Sequence, residues 1–134
     1  MDLLVRPQNT PLHGRISVPG DKSISHRAVL LAAIAAGTSE IRNWLPAGDT
    51  LATLEAVQAL GVAVEISKRS PQAWDLRIAG RGLHGLSQPA QPLDLRNAGT
   101  GFRLLCGLMA GQAFGVTLDG SPQLRQRPMR RIID

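Results

Sequence analysis

The chain has 134 residues, 43% of them hydrophobic and 19% charged, which allows one modest domain with its own core and excludes a disordered segment. Its 15 Lys and Arg outnumber its 10 Asp and Glu, giving a net charge of +5, and a basic surface of that kind favours an anionic partner. Aromatic residues are only 3%, with no Tyr, so the stacking surface used by single-stranded nucleic-acid binders is missing and nucleic acid is not an expected partner. The single Cys106 excludes an internal disulfide, and His13, His26 and His84 share no ligand spacing, so no metal or other cofactor is expected. The opening MDLLVRPQNTPLHG has neither signal nor transit pattern, and the longest apolar run, AVLLAAIAA, is too short to span a bilayer. No membrane association and a reduced, cytoplasmic setting are expected.

Residues 14–18, GRISV, read as a strand ended by Pro19-Gly20. A helix follows from Ser23, with Ala28, Leu31, Ala32 and Ala35 at helical spacing and Gly37 at its end. SEIRNW reads as a short strand. Asp49 or Thr50 is placed to cap a second helix, LATLEAVQAL, which stops at Gly61. The pattern then changes to period two. Val62, Val64 and Ile66 share one face of a strand, Trp74, Leu76 and Ile78 share one face of the next, and KRSPQA makes the hairpin turn between them.

From Leu93 the order begins again: LDLR as a strand, NAGTGFRLLCGLMAG as a loop and helix, FGVTLDG as a strand, and RPMRRIID as the opening of another helix. Arg27 and Arg103 stand 76 residues apart, each about one turn into the first helix of its unit, so a duplicated supersecondary unit is predicted. The second unit breaks off at Asp134 without the hairpin of the first. On this pattern Met129, Ile132, Ile133 and one edge of the second sheet lack their cover, and a further segment or another chain is expected to supply it.

Three stretches carry chemistry. PGDKSISHR, residues 19–27, sets Lys22, Ser23 and Arg27 at a helix start, where unpaired N–H groups and the helix dipole favour negative charge. Ser23 or Ser25 can cap that helix; a capped helix with surface Lys and Arg is the plainer alternative. NAGTGFR, residues 97–103, repeats the device: Gly99 lets a ligand approach the backbone, Thr100 can cap, and Arg103 lies a turn in. It has neither P-loop Lys nor dinucleotide-binding spacing. LRQRPMRR, residues 124–131, holds four Arg; Pro128 suits the first helical position and sets Arg127 at the entrance. A solvated basic face is the alternative there. Cys106, among Leu104, Leu105 and Leu108, reads as a buried small hydrophobe, Trp44 and Trp74 as core or edge packing, the three His as surface or structural residues, and Asp49 as an N-cap.

Taken together and in this order, PGDKSISHRA, NAGTGFR and RQRPM closely resemble the N-terminal part of the 5-enolpyruvylshikimate-3-phosphate synthase family, over nearly the whole chain. The resemblance implies an α/β fold of repeated strand-helix-strand-helix-hairpin units, with one full unit at about 14–80 and a truncated second unit at about 93–134. Residues 1–134 would then form part of an N-terminal enolpyruvyl transferase domain, and residues 1–18 would belong to the other domain of the family fold. It implies transfer of the enolpyruvyl group of phosphoenolpyruvate to the 5-hydroxyl of shikimate 3-phosphate, releasing phosphate, in aromatic amino-acid biosynthesis. By motif, Lys22 lies between the two substrates as the catalytic Lys, Ser23 and Arg27 contact shikimate 3-phosphate, Asn97, Gly99 and Thr100 line the phosphoenolpyruvate side, and Arg127 binds its phosphate. The lack of a side chain at Gly99 leaves room for that substrate or for the inhibitor glyphosate.

The family's proton-transferring carboxylates lie in its C-terminal domain, so the resemblance implies a fragment inactive alone and completed by that domain or a complementary chain. Leu104 stands where many members have Pro, and GSPQLRQRP varies a segment that often carries Asp and Ser. The related UDP-N-acetylglucosamine enolpyruvyl transferases carry a Cys in the loop before their RP and Asn after the first Lys; here the loop has no Cys and Ser23 follows Lys22, favouring the shikimate branch. A non-catalytic anion-binding module is the alternative from another class, and a basic nucleic-acid binder, with steeply salt-dependent affinity, the third.

Overall fold

The computed structural model describes residues 3–7 and 9–133, the side chains of Arg131 and Ile133 apart. Helix α1 (Lys22–Ile34) leads into strand β1 (Ala36–Trp44), helix α2 (Gly48–Ala59) and the hairpin of β2 (Ala63–Ser70) and β3 (Ala73–Arg81). After a long connection come β4 (Leu93–Asp94), α3 (Gly99–Met109), β5 (Leu118–Asp119), and two one-turn helices, α4 (Pro122–Arg125) and α5 (Arg130–Ile133). Helix, strand, helix thus recurs in α1–β1–α2 and α3–β5–α4, and the fold is α/β as expected.

The first three strands form an antiparallel sheet in the order β1-β3-β2, with Ile41 opposite Leu76 and Val64 opposite Ile78. Period-two alternation is realised on the central strand: Leu76 and Ile78 are buried, and so is Val62 at the entry to β2, whereas Ile66 midway along β2 is 40% exposed. The strands run closer to the turn than the polar stretch suggested, leaving only Pro71-Gln72 between them. The second sheet is the parallel pair β4 and β5, each of two residues, much shorter than the predicted LDLR and FGVTLDG strands. Helix α1 packs on β3 and on α2, and α3 packs on both helices, so one core runs from Trp44 through Val29, Val57 and Leu60 to Leu95, Leu105 and Leu124.

Several local expectations are corrected. GRISV forms no strand: Ile16 and Val18 are 87% and 63% exposed. An apolar alternation prescribes a strand's faces but not its partner, and no ladder is offered to it among the described residues. Asp21, not Ser23 or Ser25, caps α1, its carboxylate accepting from Ile24 N–H at 2.7 Å. Ser25 turns inward instead, where its Oγ accepts from Leu45 N–H and its carbonyl from Trp44 Nε1–H. The buried residues of α1 are Ser25, His26, Val29, Leu30, Ala32 and Ala33, so the predicted Ala32 faces inward while the predicted Leu31 is 65% exposed; the apolar run of its second half gives periodicity little to choose between. It ends at Ile34 with Ala35 as C-cap, and Gly37, with φ +87°, lies inside β1.

Ala47 occupies the cap position of α2, so neither Asp49 nor Thr50 is its N-cap; the Thr50 hydroxyl accepts the Ala47 N–H from inside the first turn at 2.9 Å. Ala98, not Thr100, precedes α3. Pro128 does not begin a helix: Pro122 does, at the start of α4, which Ser121 caps, and Arg127 lies in the link between α4 and α5. Cys106 is only half-buried, the neighbouring Leu105 taking the inward position. Met129 packs against the core, contrary to its expected exposure, while Ile132 is 42% exposed; the Ile133 side chain and Asp134 lie outside the described residues. Among the described residues no helix is long and apolar enough to cross a membrane.

Trp44 is 1% exposed and stacks at a tilt on Trp74 with ring centroids 5.8 Å apart. Because it also donates to the Ser25 carbonyl at 3.0 Å, it joins the end of β1 to the first turns of α1. Trp44→Ala is expected to destabilise the chain by about 3–5 kcal/mol, read as a lower urea midpoint.

Candidate functional site

The first cluster is built on α1. Asp21 fixes where the helix starts, so Lys22 and Ser23 occupy its first two positions and Arg27 follows one turn later. The Arg27 guanidinium folds back along the helix onto the hydroxyl and carbonyl oxygen of Ser23. Lys22 makes an ion pair with Asp49, which stands in the first turn of α2. A carboxylate there is favoured by the helix dipole of α2 and sets a fixed negative charge against the Lys22 ammonium.

The second cluster is built on the start of α3 and the link after α4. Arg127 NH2 donates to Asn97 Oδ1 at 3.0 Å, and Arg103 NH2 donates to the Pro128 carbonyl at 3.3 Å. Both guanidiniums gather over Gly99: a Cβ placed there would meet Arg127 NH1 at 2.5 Å and Arg103 NH1 at 3.4 Å. The acceptors these two Arg use are neutral, and among the described residues neither is paired with a carboxylate. Arg103 Nε is buried with no hydrogen-bond partner among the described residues. Two cations brought together over a glycine backbone leave positive charge for an anion to neutralise. Thr100 is exposed on the same first turn of α3.

The link bearing Arg127 is itself held in place. Asp119, at the end of β5, accepts Arg125 Nε–H and NH2 at 2.8 and 2.6 Å and the Gly120 N–H at 2.7 Å. The paired guanidinium holds its carboxyl down at about 2, well below the ordinary value of 3.8. Ser121 N–H reaches the Arg96 carbonyl at 2.6 Å, which ties the entry to α4 to the turn before α3.

The two clusters meet below their helix starts. His26, 1% exposed, has Nδ1 2.8 Å from Thr53 Oγ1 on α2. A Cβ on Gly101 of α3 would run into that same Oγ1 and lie 3.3 Å from His26 Nδ1. The N-terminal halves of α1, α2 and α3 therefore converge at one buried point. Burial lowers the His26 pKa below 6.5, with Lys22 and Arg27 acting in the same direction and Asp49 against them. Burial pushes the Cys106 thiol up, away from the thiolate a nucleophile needs.

The structure thus gathers Lys22, Ser23 and Arg27 into one cluster, and Asn97, Gly99 and Arg127 into another. Sequence reasoning left Asp49, Thr53 and His26 out of the site and placed Arg103 in the anion-directed NAGTGFR stretch without assigning it a substrate. The signals were present: Arg103 is the counterpart of Arg27 at the 76-residue interval, and Thr53 breaks the apolar stripe of Ala52, Ala56, Val57 and Leu60.

A family model described as EPSP synthase (3-phosphoshikimate 1-carboxyvinyltransferase) matches residues 7–134. The chain belongs to that family. It is 51% identical over 134 residues to the 3-phosphoshikimate 1-carboxyvinyltransferase of Alkalilimnicola ehrlichii, covering all of this chain and 29% of that protein. It is 54% identical over 123 residues to the enzyme of that name from Methylococcus capsulatus, covering 92% of this chain and 27% of the relative. The fold superposes on EPSP synthase from Acinetobacter baumannii with a TM-score of 0.81 at 42% identity, over 90% of this chain and 26% of that one. The chain therefore spans under a third of the length of these EPSP synthases.

The His26 environment yields a pH dependence. With its folded pKa below the ordinary 6.5, the unfolded chain holds a proton that the folded chain lacks between those two values. Stability is then complete above pH 6.5 and declines as pH falls from 6.5 towards the folded value. Thermal unfolding on either side of that pH should show the decline in the native chain, and His26→Asn should show less of it.

Proposed function

We propose that this chain supplies the anion-binding half of a 3-phosphoshikimate 1-carboxyvinyltransferase active site, in which the enolpyruvyl group of phosphoenolpyruvate passes to the 5-hydroxyl of shikimate 3-phosphate and phosphate leaves. The observation that carries the proposal is the pairing of Arg103 and Arg127 over the bare backbone of Gly99, joined through a buried contact to a second cationic cluster at Lys22, Ser23 and Arg27. Two substrates that both bear phosphate and carboxylate groups need two such cationic sites side by side. Fixed cations also stabilise the charge that moves onto the departing phosphate, without having to reorganise in the reaction.

In this reading Ser23 and Arg27 hold shikimate 3-phosphate, Lys22 stands between the substrates, and Asn97, Gly99, Thr100 and Arg127 hold phosphoenolpyruvate. Addition of the 5-hydroxyl to the phosphate-bearing carbon of phosphoenolpyruvate requires a proton on the methylene carbon and removal of one from the hydroxyl; elimination of phosphate then takes a proton back from that methyl group and leaves the enol ether. We assign those transfers to carboxylates of a C-terminal domain or complementary chain, and the setting to the cytoplasm. Residues 1–134 are then part of the N-terminal domain, with units at about 14–80 and 93–134 and residues 1–18 reaching the other domain.

The deciding experiment mixes this chain with the C-terminal remainder of a homologous EPSP synthase and follows phosphate release from phosphoenolpyruvate. Release that needs both the partner and shikimate 3-phosphate is expected; none from a demonstrably folded complex would leave a binding module without the chemistry. In the complemented enzyme Lys22→Ala and Arg127→Ala should each lower turnover by about 100-fold or more while the fold survives, and near-normal turnover would remove the residue from its role. Gly99→Ala puts a methyl group where the two guanidiniums meet and should weaken phosphoenolpyruvate and glyphosate more than shikimate 3-phosphate, as inhibition curves would show.

A further inference from the structure

His26 and Thr53 are 1% and 0% exposed, and their hydrogen bond is a polar contact set among Val29, Leu30, Val57 and Leu105 of the core. Thr53 Oγ1 lies 3.4 Å from the Asp49 carbonyl oxygen, which can only accept. We assign the hydroxyl proton to Asp49, so that the bond from His26 runs as Nδ1–H donating to Thr53 Oγ1. Nε2 is left as a bare lone pair, buried and with no partner among the described residues, which avoids an unpaired N–H donor in the core. Gly101 then brings the α3 backbone against both groups, because even a Cβ would not fit between them.

About one turn before His26 and Thr53 stand Lys22 and Ser23 on α1 and Asp49 on α2, and Gly99 lies half a turn before Gly101 on α3. An apolar pair of the same volume would bury as much surface, but its contacts would let the helices slide. A hydrogen bond of 2.8 Å fixes both a distance and a direction. The charged groups facing the imidazole are Lys22 and Arg27 from α1 and Asp49 from α2, while α3 meets it with Gly101.

We infer that His26 and Thr53 are positioning residues: their hydrogen bond, closed over by Gly101, sets the separation between the Lys22 and Gly99 clusters. The inference rests on the function proposed above, since it concerns how two substrate sites are held in register. A displacement of about 1 Å between reacting groups is enough for a rate loss of about 100-fold.

The test uses three variants of the complemented enzyme. Thr53→Val keeps the shape and removes the acceptor; His26→Leu fills the space without the donor; His26→Asn returns an N–H donor near the place of Nδ1. Thr53→Val and His26→Leu should retain the far-ultraviolet dichroism of the native protein while the KM for phosphoenolpyruvate rises about 10-fold or more, and His26→Asn should restore it. Native KM values, with only the yield of folded protein reduced, would overturn the inference and leave a structural role. Should His26→Leu fail to fold, Thr53→Val carries the comparison. A second readout needs no substrate: imidazole 15N shifts of the 134-residue chain should report a neutral ring protonated on Nδ1, and a ring protonated on Nε2 or charged near neutral pH would overturn Nδ1 as the donor to Thr53. If the native complemented enzyme shows no turnover, the proposed function fails, and the ring spectrum still decides the pair.

Discussion

The structure turns on a buried point where three helices come within bonding distance: His26 on α1, Thr53 on α2 and the bare backbone of Gly101 on α3. Lys22 and Arg27 flank His26 on α1, Asp49 lies one turn before Thr53 on α2, and Gly99 and Arg103 flank Gly101 on α3. Each helix brings its own unpaired N–H groups and the positive end of its dipole to the same region, so that region gains electropositive character from backbone geometry before any side chain is counted. Lys22, Arg27, Arg103 and Arg127 add formal charge to a place already prepared for it.

That preparation depends on supports at some distance. Trp44 holds the end of β1 to Ser25 of α1, and Asp119 with Arg125 fixes the turn from which the Arg127 link departs. The parallel pair β4 and β5 is only two residues long, yet it brings Asn97 and Arg127, thirty residues apart in sequence, into hydrogen-bond contact. The chain belongs to the EPSP synthase family and matches little more than a quarter of the length of its relatives.

Much of this was legible in the residues. Turn chemistry at Pro71-Gln72 and period-two alternation located the hairpin, and the recurrence of an Arg one turn into two helices revealed the repeat. What stayed hidden was tertiary. Capping by Asp21 could not be separated from capping by two serines in the same turn, because all three are good caps and only burial of Ser25 decides. GRISV has a strand's pattern without a strand's partner. Pro128 and Pro122 both suit a first helical position, and the bond from Ser121 to the Arg96 carbonyl favours the earlier start. Asp49 looked like a cap because its role depends on Lys22, far away in sequence and visible only once α1 and α2 are packed.

The Lys22–Asp49 pair changes the thermodynamic character of anything that happens at the start of α1. An anion arriving at Lys22 does not fill an empty charge; it exchanges with a carboxylate that is already there and tethered. Such an exchange conserves the number of ion pairs, so added salt screens reactant and product alike. Attraction at this position is therefore less sensitive to ionic strength than a net charge of +5 suggests.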